Sequence, residues 1–232
     1  MTALHKGKSM IRGMIRGIIV KLALVVIFVL AGPCDGQDQA TLWSIAHVLR
    51  SGHLSGSMEY WGSCGDEKEL VTRRLPIATT PTNSSAPPLQ VLREMFANDG
   101  DMQVTQEPDG TIRLVEKTVP QDLLNVKIVH ISFDDEQKKH HTMHFHTLVL
   151  DFITEAPDVQ AFMKDHSIGR EPKVINQAMS AHPSFSGELD NVTLAQTLDY
   201  MVKTFRGLWV YKECPGNKEN KRIVDFSFYN TE

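Results

Sequence analysis

The sequence predicts an α+β fold, built of small helix–strand–hairpin units on short mixed sheets, behind an N-terminal export signal. Three observations carry this expectation. A basic start runs into an apolar stretch. Segments with apolar residues at helical spacing alternate with short runs of strand-forming residues. Glycine-containing stops and one Asp109-Gly110 turn punctuate these segments at the places where helices end and hairpins reverse.

Lys6, Lys8, Arg12, Arg16 and Lys21 precede or enter an apolar run from Ile18 to Leu30. Its uninterrupted part, Leu22 to Ala31, suits a signal-peptide core and falls short of the ~20 residues of a membrane span. Cleavage is expected after Gly36, so residues 1–36 are read as a signal peptide and the mature protein as exported, periplasmic or secreted. Two alternatives stand beside this: a lipoprotein anchored through Cys34, which Pro33 disfavours, and an uncleaved N-terminal anchor. The membrane enters only through this segment. Removing residues 1–36 takes away five of 24 basic residues and one of 28 acidic residues, which leaves a net charge of −8. No basic stripe remains for phosphate, which argues against nucleic-acid binding.

The mature chain divides by composition. Residues 37–78 form an N-terminal segment with a helix capped by Thr41 and a strand over Ser57–Trp61. Residues 79–88, rich in Thr, Pro and Ser, read as a linker. Residues 89–183 form an α+β region. Its first helix carries Leu89, Val91, Leu92, Met95 and Phe96 and stops at Asn98-Asp99-Gly100. The strands Met102–Gln106 and Thr111–Val115 flank the Asp109-Gly110 turn. A strand over Val126–Phe133 is expected to place Val129, Ile131 and Phe133 on one face. A helix spans His144–Ile153. Another starts at Pro157 with Val159, Phe162 and Met163 inward and ends at Gly169. Lys173–His182 fits a loop or a strand.

Residues 184–232 carry the clearest pattern. Asp190 or Asn191 caps a helix in which Leu194, Leu198, Met201, Val202 and Phe205 share one face. Gly207 stops it. Leu208–Tyr211 and Ile223–Phe228 are strands around the Cys214-Pro215-Gly216-Asn217 turn, with Val224, Phe226 and Phe228 on one face. The order helix, glycine, strand also occurs at Thr41–Trp61 and Leu89–Val115, which points to repeated use of one βαββ unit.

The residues SGELDNVTLAQTLDYMVKTFRGLWVY, followed by RIVDFSF, resemble the short N-terminal domain of secretins and TonB-dependent receptors. In that family a strand leads into a helix and a hairpin closes the module. The resemblance implies a protein contact in envelope secretion or uptake machinery. No pore or receptor barrel follows within these residues, so the expectation is a free-standing module whose partner is an envelope protein.

Motifs for chemistry are sparse. No G-x-S-x-G, P-loop or G-x-G-x-x-G occurs, and the expectation is a non-enzymatic protein without a cofactor. His140 and His144 would share a helix face at a spacing that can hold one metal ion, with His141 or His146 nearby and Asp134, Asp135 or Glu136 as oxygen ligands. No Glu sits between the pair as in a zinc protease, and no distant ligand completes a set. The leading reading is therefore an exposed turn with no metal, and a periplasmic metal-binding protein is the alternative function. Trp43, Trp61 and Trp209 are read as core, with Tyr60-Trp61 and Trp209-Val210-Tyr211 as the competing candidates for a partner groove. Once Cys34 is removed or lipidated, two cysteines remain in an oxidising compartment, each after an aromatic strand. A Cys64–Cys214 disulfide is expected.

Overall fold

The computed structural model describes residues 35–62, 75, 86–134, 146–171 and 185–230. The described elements run in the order α1 (Asp35–Ser51), β1 (Gly56–Trp61), α2 (Pro88–Met95), β2 (Met102–Gln106), β3 (Ile112–Glu116), β4 (Lys127–Ser132), α3 (His146–Thr154), α4 (Pro157–Asp165), β5 (Ile168–Arg170), β6 (Glu188–Thr193), α5 (Leu194–Phe205), β7 (Gly207–Pro215) and β8 (Arg222–Asn230). The fold is α+β. A six-stranded mixed sheet has the order β2-β3-β1-β7-β8-β5, and β4 and β6 form a separate antiparallel pair.

β1 is the middle of the large sheet. It pairs in parallel with β3 on one side and with β7 on the other. All its residues but the last are buried, as expected of a parallel strand covered on both faces. Strands from residues 37–78, 89–183 and 184–232 thus join in one sheet, and Gln37–Glu232 form one compact unit.

Two apolar layers follow from strand alternation. Met58, Tyr60, Ile112, Leu114, Leu208 and Val210 meet Leu42, Ile45 and Leu49 of α1 and Leu92 and Phe96 at α2. On the opposite face, Trp209, Tyr211, Val224 and Phe226 meet Leu198, Met201, Val202 and Phe205 of α5, with Val149 and Ile153 of α3 and Val159 of α4 in the same cluster. Helices therefore lie on both faces of the sheet.

α5 buries the expected face, including Leu194, Leu198, Met201 and Val202. Its cap differs from expectation. Thr193 is the N-cap and accepts from the Gln196 N–H at 3.2 Å, while the Gln196 side chain accepts from the Thr193 N–H at 2.9 Å. Asp190 and Asn191 stay in β6, because pairing with β4 holds the chain extended up to Thr193. Likewise Gly207 is not the left-handed stop. Arg206 takes φ 45°, and Gly207 opens β7 where a Cβ would meet the Phe228 ring at 2.3 Å and the Tyr229 carbonyl oxygen at 2.6 Å. Glycine is needed there for close approach of β7 and β8.

Three more expectations change. Helix α1 already includes Asp35, so Thr41 is a buried interior residue and not a cap. Helix α4 ends at Asp165, and Gly169 lies inside β5. On β4, Ile128 and Ile131 are buried and Val129 is exposed. The β4–β6 register passes from Ile128↔Val192 to His130↔Asp190 with no pair at Val129 and Asn191. Val129 gives its N–H to Asp158 Oδ2 at 3.0 Å, and Asn191 adopts φ 53°. The register is the same on both sides of this gap, and Ile128 and Ile131, three residues apart, are both buried.

The proposed repeat also meets a difference in the sheet. β7 and β8 place the first strand of their hairpin beside β1, whereas β2 and β3 place the second strand there and leave β2 at the edge. Lys173–His182 lies outside the described residues.

Leu198→Ala is expected to cost about 2–5 kcal/mol, the range for truncating a buried leucine. Chemical denaturation of the protein checks this, and an unchanged midpoint would remove α5 from the core.

Candidate functional site

Acidic side chains are concentrated at the ends of the central parallel strands. Glu59 on β1, Glu116 at the end of β3 and Glu213 on β7 are all buried. Alternation places Ser57, Glu59 and Trp61 on the same side of β1. Across the ladder, Ser57 pairs with Trp209, Glu59 with Tyr211 and Trp61 with Glu213. This is the face that α5 covers, and the connector between β3 and β4 closes over its strand ends.

Each acid has its own partners. Gln121 Nε2 in the connector donates to Glu59 Oε2 at 2.7 Å and to the Val119 carbonyl at 3.4 Å. The β1–β3 ladder stops at Glu59↔Val115, and there Glu116 continues it with a side chain: its Oε2 accepts from the Trp61 N–H at 3.0 Å. Thr118 Oγ1 donates to the other Glu116 oxygen at 3.2 Å, and the Trp61 indole donates to the Thr118 carbonyl at 3.2 Å. Glu213 accepts from the Tyr211 hydroxyl and lies 3.2 Å from Arg222 Nε. Arg222 Nη2 then reaches Asp122 Oδ2 at 2.6 Å, which ties β8 to the connector.

A second group adjoins the first. The Arg113 guanidinium on β3 pairs with Asp199 of α5, donates to Ser57 Oγ at 3.2 Å and lies 3.3 Å from Glu107. The other Asp199 oxygen accepts from the Trp209 indole at 2.9 Å. A buried indole N–H and a part-buried carboxylate thus satisfy one another.

Burial governs the protonation of Glu59, Glu213 and Tyr211. Desolvation pushes the Glu59 carboxyl above the usual glutamate range, against the Gln121 hydrogen bond and the nearby Arg113 charge. Desolvation also raises Glu213, opposed by the Tyr211 hydrogen bond and Arg222. The Tyr211 hydroxyl is pushed up by burial and by the adjacent Glu213 charge. A raised carboxyl is a possible general acid in principle. Here the partners are intramolecular and the carboxylates fasten a connector to three strands.

Two signals for this belt are legible in the sequence: a glutamate inside each of the aromatic stretches Ser57–Trp61 and Trp209–Cys214. The partners Gln121, Asp122 and Arg222 carry no local signal, because only the fold brings them there.

Of the residues singled out from sequence, His140, His141, His144, Asp135 and Glu136 lie outside the described residues, as do Cys34 and Cys64. Asp134 accepts from the Gly187 N–H at 2.9 Å. His146 opens α3, with its ring 4.8 Å from that of Phe228. Among the described residues no group of three or more His, Cys, Asp or Glu side chains is placed to hold a metal ion. Cys214 is buried near the end of β7. Tyr60, Trp209 and Tyr211 are buried, so they do not line a partner groove. Trp43 departs from its expected core position and is 53% exposed. It lies off the Leu42, Ile45, Leu49 stripe of α1, and its ring meets Tyr229 edge-on at 5.2 Å. Among the described residues no helix is long and apolar enough to cross a membrane.

Comparison with protein-family models, with curated proteins and with solved structures gives no match. The chemistry of the site rests on its own geometry.

Two outcomes follow. The Glu59 pKa is higher in the folded than in the unfolded chain, so its favourable contribution is complete below the unfolded value and is lost as pH rises through the folded value. Glu59→Gln should therefore match the wild type in acid and become progressively more stable than it as pH rises through that window, in melts across a pH series. Arg222→Met leaves Glu213 buried without its cation and should cost about 3–5 kcal/mol at neutral pH. Denaturant titration measures this, and Glu213→Gln in the same background should recover part of the loss.

Proposed function

We propose that the mature chain is an exported, non-enzymatic binding or adaptor module that makes protein contacts in the cell envelope. The observation that carries this reading is the closure of the acidic belt. Glu59, Glu116 and Glu213 are buried and take hydrogen bonds from Gln121, Trp61, Thr118 and Tyr211, while Glu213 Oε1 accepts no hydrogen bond and is met by the Arg222 charge alone. Their arrangement serves the fold, and the surface is left to carry function. The element order β6-α5-β7-β8 also follows the strand, helix, hairpin order of the short N-terminal domain of secretins and TonB-dependent receptors. It departs in one respect: β6 pairs with β4 instead of joining the sheet of β7 and β8.

Pull-down of the tagged mature chain from envelope extracts, followed by reconstitution with the recovered protein, tests the proposal. The expected result is a saturable complex whose Kd is unchanged by Glu59→Gln. A chain that binds no protein saturably and has an activity abolished by Glu59→Gln would overturn it.

Export also implies an oxidised Cys64–Cys214 pair. The register in support is Trp61↔Glu213, with the Gly62 N–H donating to the Glu213 carbonyl at 2.8 Å. This leaves Cys64 two residues from a point beside Cys214, well within the ~3.3–3.6 Å that each residue can span. A bridge here closes a long loop, worth about 5 kcal/mol in the chain-entropy model. Non-reducing peptide mapping of the exported protein should recover the Cys64 and Cys214 peptides linked. Two alkylatable thiols would end the claim.

A further inference from the structure

The tripeptide Asn191-Val192-Thr193 has the N-x-S/T form of an N-glycan acceptor, with no proline at its centre. Its setting in the fold is unusual for a strand. Asn191 is exposed and has φ 53°, at the one position of β6 where the ladder with β4 is interrupted. Among the described residues its side-chain amide makes no hydrogen bond. The position opposite it in the register gap is Val129, which is 62% exposed. Val129 and Trp43 are the large apolar side chains left exposed among the described residues.

We propose that Asn191 is an N-glycosylation site, and that the first sugar of its glycan lies over Val129. The proposal rests on the export reading and takes its secreted branch. The co-substrate is a polyprenyl-diphosphate-linked oligosaccharide. The Asn191 amide nitrogen forms a bond to C1 of the reducing-end sugar, the bond from C1 to the diphosphate oxygen breaks, polyprenyl diphosphate leaves, and the amide gives up one proton. Nothing is oxidised or reduced.

Conformation and acceptor chemistry are separable here. The left-handed backbone is tolerated by Asn and Asp alike, whereas only Asn carries the acceptor amide. Thr193 has a second duty as the α5 cap, which serine also performs. The modification adds a bulky polar group at an exposed break in the ladder, where no strand pairing is lost. It would cover an exposed valine and block lateral association at this face of the β4–β6 pair.

The test is expression of the full chain from its own N-terminus in a eukaryotic secretory cell line, with site-resolved glycopeptide mass spectrometry. Asn191 should be occupied. The glycan should be lost in Asn191→Asp and retained in Thr193→Ser, with both variants folded by circular dichroism. A second sequon, Asn83-Ser84-Ser85, lies outside the described residues and is mapped separately. Secreted protein with a cleaved leader and an unmodified Asn191 overturns this inference and leaves the export reading standing. Cytosolic protein that retains Met1 overturns both.

Discussion

The fold depends on the parallel pairing of β1 with both β3 and β7. Gly56–Trp61 is a six-residue strand, yet it brings together residues more than a hundred positions apart. Without it, the β2–β3 hairpin and the β7–β8 hairpin would be two separate antiparallel pairs. With it, they form one sheet long enough to cover an apolar layer on each face. Parallel pairing requires crossovers, so α2 and α5 must lie against the sheet, and their buried stripes follow from that requirement. Close contact is demanded elsewhere too: Gly207 admits no side chain because β7 and β8 approach through Phe228 and Tyr229.

The buried acids are a consequence of this architecture. A parallel strand ends with backbone groups that its neighbours no longer pair, and the connector after β3 must cross those ends. Glu116 meets the Trp61 N–H directly. Gln121 and Asp122 bring the connector down onto Glu59 and, through Arg222, onto Glu213. Fastening the connector positions β4, which in turn holds β6 extended until Thr193 starts α5. The cost is carboxylates in a poorly solvated setting, visible as the raised protonation range of Glu59 and Glu213. Specific pairing, more than net stability, is what such a network provides.

The β4–β6 pair carries a local irregularity. Asp158, at the start of α4, takes the Val129 N–H, the ladder has no pair at Val129 and Asn191, and Asn191 is left-handed. The register resumes unchanged at His130↔Asp190, with Ile128 and Ile131 in the core and Val129 in solvent.

The sequence by itself determined the α+β class, the existence of nearly every described element and the buried face of α5. These rest on short-range physics: apolar spacing at 3.6 or 2, proline at helix starts, and Asp109-Gly110 at a hairpin. Tertiary structure decided the rest. Thr193 outranks Asp190 and Asn191 as the cap because β6 is paired to its last residue. Trp43 stays outside because the α1 stripe turns Leu42, Ile45 and Leu49 inward. Of the acidic belt only the glutamates inside two aromatic strands were legible, because Gln121, Asp122 and Arg222 are far from them in the chain. The burial and partners of Glu59 and Glu213 exist only once β1 lies between β3 and β7.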